Sequence, residues 1–416
     1  MKTLVIWIVG GLVGIVLVSY LAWFFFFRAA AAPAANTAVS GGLGLATTQS
    51  TGAASGNTSS NNTNQTTPIG DSSSLKVFKI ADGPVTGATF VQTFGPTTTL
   101  ARYVLQENGH VMDQPIDVPG SLPHPVSNTT IPGTEVAQWG SQSTLYMQYQ
   151  DGAAVKTVLL AFPPAATSSQ SVTRPVNIQF LPDNITSLAV SPDGSQIAYL
   201  LPSASGSDGY IAKNDGSNGK KLFSVGLSQL LLSWPSANIL LMATKSSESA
   251  PGIVFSVNAK TGGIVPLIYA DGLTAIADRA FDEVVYQSAA PGAQARSTYA
   301  HNVANNTDVA LSFDPIPEKC TWGSASPGTL YCAAPVQYVN AQYLDLWHMG
   351  LATAPDSILS FVPSDPAQTT AIAVPGSSDG GEASDIIGLT VSPDDKYLLF
   401  IKKGDRSLWA VRLGQN

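Results

Sequence analysis

A chain of 416 residues is long enough for one large core or two ordinary domains. Only 12 % of its residues are charged, about half the usual share, while Gly (37) and Pro (28) are plentiful. The formal net charge is −8 and the cations form no stripe, Lys220-Lys221 and Lys402-Lys403 reading as isolated solvated turn pairs, so nucleic-acid binding is excluded.

Leu4 to Phe27 is an uninterrupted uncharged, apolar run between Lys2 and Arg28, with Trp23 to Phe27 placed like an interfacial aromatic belt. It is longer than the apolar core of a secretory signal, so residues 1–28 are expected to be an uncleaved transmembrane anchor. A cleaved signal peptide is the rival reading, because Ala29 to Ala35 supplies small residues. One Lys and the amino terminus against one Arg favours the N-terminus inside and the bulk of the chain outside. Residues 29–74 are a low-complexity linker of Ala, Gly, Ser, Thr and Asn, uncharged up to Gly70. Such a segment cannot bury enough apolar surface to offset its ordering entropy, and as a flexible tether it spans on the order of 35–40 Å.

From Lys76 onward the pattern is alternation of apolar and polar residues, with no helix-period segment after the anchor. Strands are expected from Lys76 to Ile80 and Thr86 to Gln92, then in groups such as Leu230 to Trp234, Ile239 to Thr244, Ile253 to Asn258 and Ile264 to Tyr269. The first strands of successive groups end at Trp139, Val190, Trp234, Ala277, Trp322 and Val391. Their spacing of about 43–51 residues, stretched to 69 at the last, matches a propeller blade with an insertion, Val336 to Gly350, in the sixth unit. Ser187 to Leu200 and Leu389 to Ile401 each read as a hairpin round a Ser-Pro-Asp turn, in which Gly194 supplies the left-handed residue. The last unit has three strands before the chain ends. Lys76 to Ile80 is the spare one, and paired with Leu408 to Leu413 it would close a ring over residues 75–416. The expected fold is an all-β, seven-bladed β-propeller, with six or eight blades as alternatives.

The SPDG turn followed by an IAY-type strand resembles the WD40-like, TolB-type (PD40) propeller repeat of bacterial envelope proteins. The stretches Ser127 to Pro132, Leu181 to Ile185, Glu318 to Trp322 and Leu330 to Ala333 are similar to a family of membrane-anchored propellers from candidate-phylum bacteria. That resemblance covers nearly everything from Leu75 on and implies a fold and an envelope address, but no chemistry, since the family has no established activity. Where the family carries Asp-Asp-Trp-Tyr-x-Gly, this chain has Asp345-Leu346-Trp347-His348-Met349-Gly350, with one Asp and the Tyr replaced.

Cys320 and Cys332, the only cysteines, flank a predicted hairpin whose pairing could bring them together as a disulfide. Two buried thiols, or a metal site short of further His or Cys partners, are the alternatives. No Gly-x-Ser-x-Gly elbow, phosphate loop or complete Ca²⁺ loop occurs, so no catalytic residue, cofactor or metal ligand is assigned. The insertion gathers Tyr338, Tyr343, Asp345, Trp347 and His348, a possible binding loop if its aromatics are exposed and a plug over the rim if they are not. Taken together, the residues favour a non-catalytic interaction or scaffold module outside the cytoplasmic membrane with an envelope protein as partner. A funnel that binds or hydrolyses a ligand or carbohydrate is the alternative.

Overall fold

The structure, a computed structural model, describes residues 75–416 apart from 93–97, 117, 119, 163–175, 249, 290–295, 338, 341 and 415–416. The apolar run Leu4 to Phe27 and the linker 29–74 lie outside the described residues. Among the described residues no helix is long and apolar enough to cross a membrane.

Period-2 alternation puts one face of each strand into apolar contact, and every sheet buries both faces of its middle strands between neighbours. Seven four-stranded antiparallel sheets result. The first blade is Val85–Gln92, Thr99–Leu105, Val111–Pro115 and the two-residue His124–Pro125; the second is Thr134–Ser141, Thr144–Asp151, Ala154–Ala161 and Asn177–Phe180. The third is Ser187–Val190, Gln196–Ser203, Gly206–Lys213 and Lys220–Val225; the fourth is Leu230–Ser236, Ile239–Thr244, Pro251–Asn258 and Ile264–Asp271. The fifth is Thr274–Ala277, Glu283–Ser288, Ser297–Asn302 and Thr307–Ala310; the sixth is Cys320–Trp322, Leu330–Pro335, Asp356–Val362 and Asp365–Ala373. The seventh takes Ile386–Val391, Tyr397–Lys402 and Leu408–Arg412 from the C-terminus and Val77–Ala81 from the start of the described chain.

That last sheet closes the ring. Val77 pairs with Val411, Phe78 with Ala410 and Lys79 with Trp409, while the Arg412 guanidinium sits 4.2 Å from the Phe78 ring centroid. Asp82 to Pro84 then leads straight into the first blade, where the Val85 N–H donates to Arg406 O at 2.9 Å. The open edge of Val77–Ala81 is itself covered, because the Val77 N–H donates to Asp379 O at 2.8 Å. Gly380 and Gly381 lie so close there that a Cβ would come within 2.8 Å of Val77 O and 2.7 Å of its Cγ1, respectively. Buried apolar residues collect into seven clusters that each join two consecutive blades, the seventh-to-first cluster included.

The two Ser-Pro-Asp turns are built alike. Ser191 Oγ donates to Asp193 Oδ1 at 2.6 Å and accepts the Gln196 N–H; Ser392 Oγ donates to Asp394 Oδ1 at 2.8 Å and accepts the Tyr397 N–H. The left-handed position is Gly194 in one (φ 70°) and Asp395 in the other (φ 52°).

Three features depart from the sequence reading. His124–Pro125 and Asn177–Phe180 are outer strands that the pattern did not show; all four residues of the second are exposed, so no buried/exposed contrast marks it. The insertion contains a six-residue helix, α1, at Tyr343–His348, where no helix was expected. Lys403 is not a solvated turn residue, for its Nζ lies 3.9 Å from the Trp347 ring centroid.

Because Phe78 is buried in the seventh-to-first cluster, Phe78→Ala is expected to lower the unfolding free energy by about 3–5 kcal/mol. A denaturant midpoint unchanged by the substitution would show that the closing strand does not hold the ring.

Candidate functional site

Antiparallel pairing fixes which connections share a face. Second-to-third loops and blade-to-blade links lie on one face of the ring, and first-to-second and third-to-fourth turns lie on the other. Helix α1 belongs to the second-to-third connection of the sixth blade, so it shares its face with Ser247-Glu248, Arg296, Glu318-Lys319, Asp385 and Lys403. Leu75 and Leu413 lie on the opposite face.

The helix is pinned to two blades besides its own. Asp345 reaches the fourth, its carboxylate accepting the Glu248 N–H at 3.0 and 3.1 Å and the Ser247 hydroxyl at 3.2 Å. Trp347 Nε1 donates to both carboxylate oxygens of Asp385 at 2.9 Å, at the entrance to the seventh blade. The Lys403 ammonium donates to the Trp347 carbonyl, where a cation complements the exposed carbonyl end of the helix. Tyr343, Leu344 and Trp347 are buried against Ile316 and Ala354. Two of the insertion's aromatics, Tyr343 and Trp347, are therefore packed inward over the rim, the plug of the two readings. His348 stays partly exposed, with Nε2 3.4 Å from Glu318 Oε2, and Tyr338 lies outside the described residues.

Beneath Trp347 is a cluster that the sequence did not reveal. Lys319 is wholly buried, and its ammonium donates to Asp356 Oδ2 at 2.9 Å and Asp385 Oδ1 at 2.7 Å, 4.9 Å from the Trp347 ring centroid. Asp356 Oδ2 also accepts the Ile386 N–H at 2.7 Å. One ammonium between two carboxylates leaves a net negative charge out of water, and the half-buried Lys403 beside them answers it only in part. Burial pushes the Asp356 carboxyl up to about 6 from its ordinary 3.8, with the Asp385 charge adding, against the pull of Lys319 and the Ile386 N–H. Burial also pushes the Lys403 ammonium down. No sequence signal singled the cluster out: Lys319 follows Asp314-Pro315-Ile316-Pro317-Glu318, a turn-forming stretch in which a lysine would ordinarily be solvated.

Cys320 and Cys332 form a disulfide across the first two strands of the sixth blade, their Cα atoms 4.1 Å apart in direct register. Arg296, also buried, donates to Gln287 Oε1 and to Gly272 O; burial draws its guanidinium down, and the charges of Glu318, Asp345, Glu248 and Asp314 hold it up. Among the described residues no three His, Cys, Asp or Glu side chains come together in a group that could hold a metal ion.

No family model and no curated protein matches the chain. Among solved structures it is similar to an oligogalacturonate lyase in complex with manganese, at 11% identity and TM-score 0.51, over 81% of this chain and 99% of that one. It is similar to the tricorn protease at 10% identity and TM-score 0.50, over 80% of this chain and 34% of that one. TolB from Acinetobacter baumannii aligns at 8% identity and TM-score 0.41, over 79% of each chain. What is shared is the propeller. At these identities the likeness is one of fold alone.

Replacing Lys319 by Met strands two buried carboxylates and is expected to cost about 3–5 kcal/mol by denaturation; a loss below 1 kcal/mol, roughly the scale of a solvent-exposed pair, would mean that the trio is solvated. A carboxyl raised in the folded state stabilises it while protonated, so the Asp356 share is complete below about pH 4 and is lost as pH rises through about 6. Unfolding free energy should fall across that window, and Asp356→Asn should remove this part of the fall. Identical slopes in the two proteins would contradict the assignment.

Proposed function

We propose that the chain is a membrane-tethered, extracytoplasmic β-propeller that acts as a protein-interaction or scaffold module of the cell envelope. The observation that carries this reading is the tip of the insertion. Just past α1, Met349 and Leu351 stand 62% and 73% exposed, and Val336 at the start of the same insertion is 47% exposed. Apolar side chains held open on a pinned helix make a surface ordered before contact, so docking on it forfeits little conformational entropy. The tip lies on the face opposite Leu75. The partner that suits it is an envelope protein with an apolar groove.

A second reading, a funnel that binds or hydrolyses a ligand, draws on the buried Arg296 of the same face and on the pull that the charges of Glu318, Asp345, Glu248 and Asp314 exert on it.

A photocrosslinking residue placed at Leu351 in cells should capture a discrete partner, and the same residue at the exposed Ser195, on the opposite face, should not. Identical products from both positions, or none from Leu351, would sink the display reading.

A further inference from the structure

Between the innermost strands of the fourth and fifth blades lies a pocket of about 100 Å³. Leu231, Leu232, Leu241 and Leu273 supply its apolar walls, Ser233, Thr244 and Thr274 also line it, and Glu318 enters it from the link between the fifth and sixth blades. Leu231 is 39% exposed although it belongs to an innermost strand, so the pocket opens toward the central channel. The space holds several waters. The leucine walls offer such waters no hydrogen bonds, and a short aliphatic chain lying on them would displace those waters favourably.

The charge in the lining is one-sided: among the described residues that line the pocket, Glu318 alone is ionisable. Glu318 meets His348 only at 3.4 Å, beyond ordinary hydrogen-bond length, and both side chains are partly exposed, so that contact is weak and replaceable. A small space with largely apolar walls and one anionic oxygen pair in its lining admits a methylene stem ending in a compact cation.

We propose that this pocket binds a primary alkylammonium group, the stem packing on Leu231, Leu232, Leu241 and Leu273 and the ammonium donating to Glu318 in place of His348. Two sources carry that chemistry: a free aliphatic amine and the lysine side chain of a docked protein. Such a pocket can serve a displayed head whether or not a partner also sits on the tip of α1.

The full-length protein, labelled at leucine methyls, is titrated with n-butylammonium, with n-butanol, and with an end-blocked Gly-Lys-Gly peptide, and followed by NMR. Saturating shifts at Leu231, Leu232, Leu241 and Leu273 are expected with n-butylammonium, with n-butanol weaker by about tenfold or more for want of the charge-assisted bond. Glu318→Gln should lose about the same factor while its methyl spectrum stays that of the folded protein. Shifts with the peptide as well would assign the site to lysine side chains, and shifts with the free amine alone would assign it to small amines. No saturable shift with either, equal binding of amine and alcohol, or full binding by Glu318→Gln would overturn the proposal. Loss of crosslinking at Leu351 with amine binding intact would overturn only the display reading.

Discussion

A sheet laid radially in a circle must find a partner for the unpaired backbone of its last strand, and here Val77–Ala81 supplies one to Leu408–Arg412. That ladder joins parts of the chain more than three hundred residues apart. Closing so long a loop costs entropy, which the buried cluster between the seventh and first blades offsets. The face that carries α1 depends on this closure. Asp385, Ile387 and Lys403, on which Trp347 rests, all belong to the seventh blade or the link into it, and an open ring would let that blade drift from the sixth.

The Lys319 trio follows from the same geometry. Blade-to-blade links converge on one face, so the residue before the first strand of the sixth blade and the residue before that of the seventh are brought together. An ion trio in such a place is poor at raising net stability, since apolar groups of the same shape would avoid the desolvation cost. Its effect is directional. Asp385 can accept from Lys319 and from the indole only when α1 lies in one orientation, and Asp345 then meets the backbone of Glu248. A short helix that would not persist alone in water is thereby held at both ends.

The repeat was legible because its turn chemistry is local. Ser191 and Ser392 each need only residues two and five positions on to build the same turn, and the left-handed position tolerates either Gly194 or Asp395. The cysteine pair was legible for a similar reason, since a hairpin register sets it. The outer strand Asn177–Phe180 was not, because it buries neither face and has no period to read. Nor was the orientation of Tyr343 and Trp347: aromatic residues in an insertion look the same on paper whether they seek a partner or their own rim.

By itself the sequence determined the class of the fold and the strand that closes the ring, and it favoured seven blades over six or eight, because strand period, turn residues and blade spacing are properties of short segments. It also placed the insertion in the sixth unit. Only the tertiary structure decided that Lys319 is buried between Asp356 and Asp385, that α1 reaches across to the fourth blade, and that Glu318 borders a pocket between the fourth and fifth. Those contacts join residues 37 to 98 positions apart in the chain, and burial and charge balance among such residues arise only when the ring brings its links to one face.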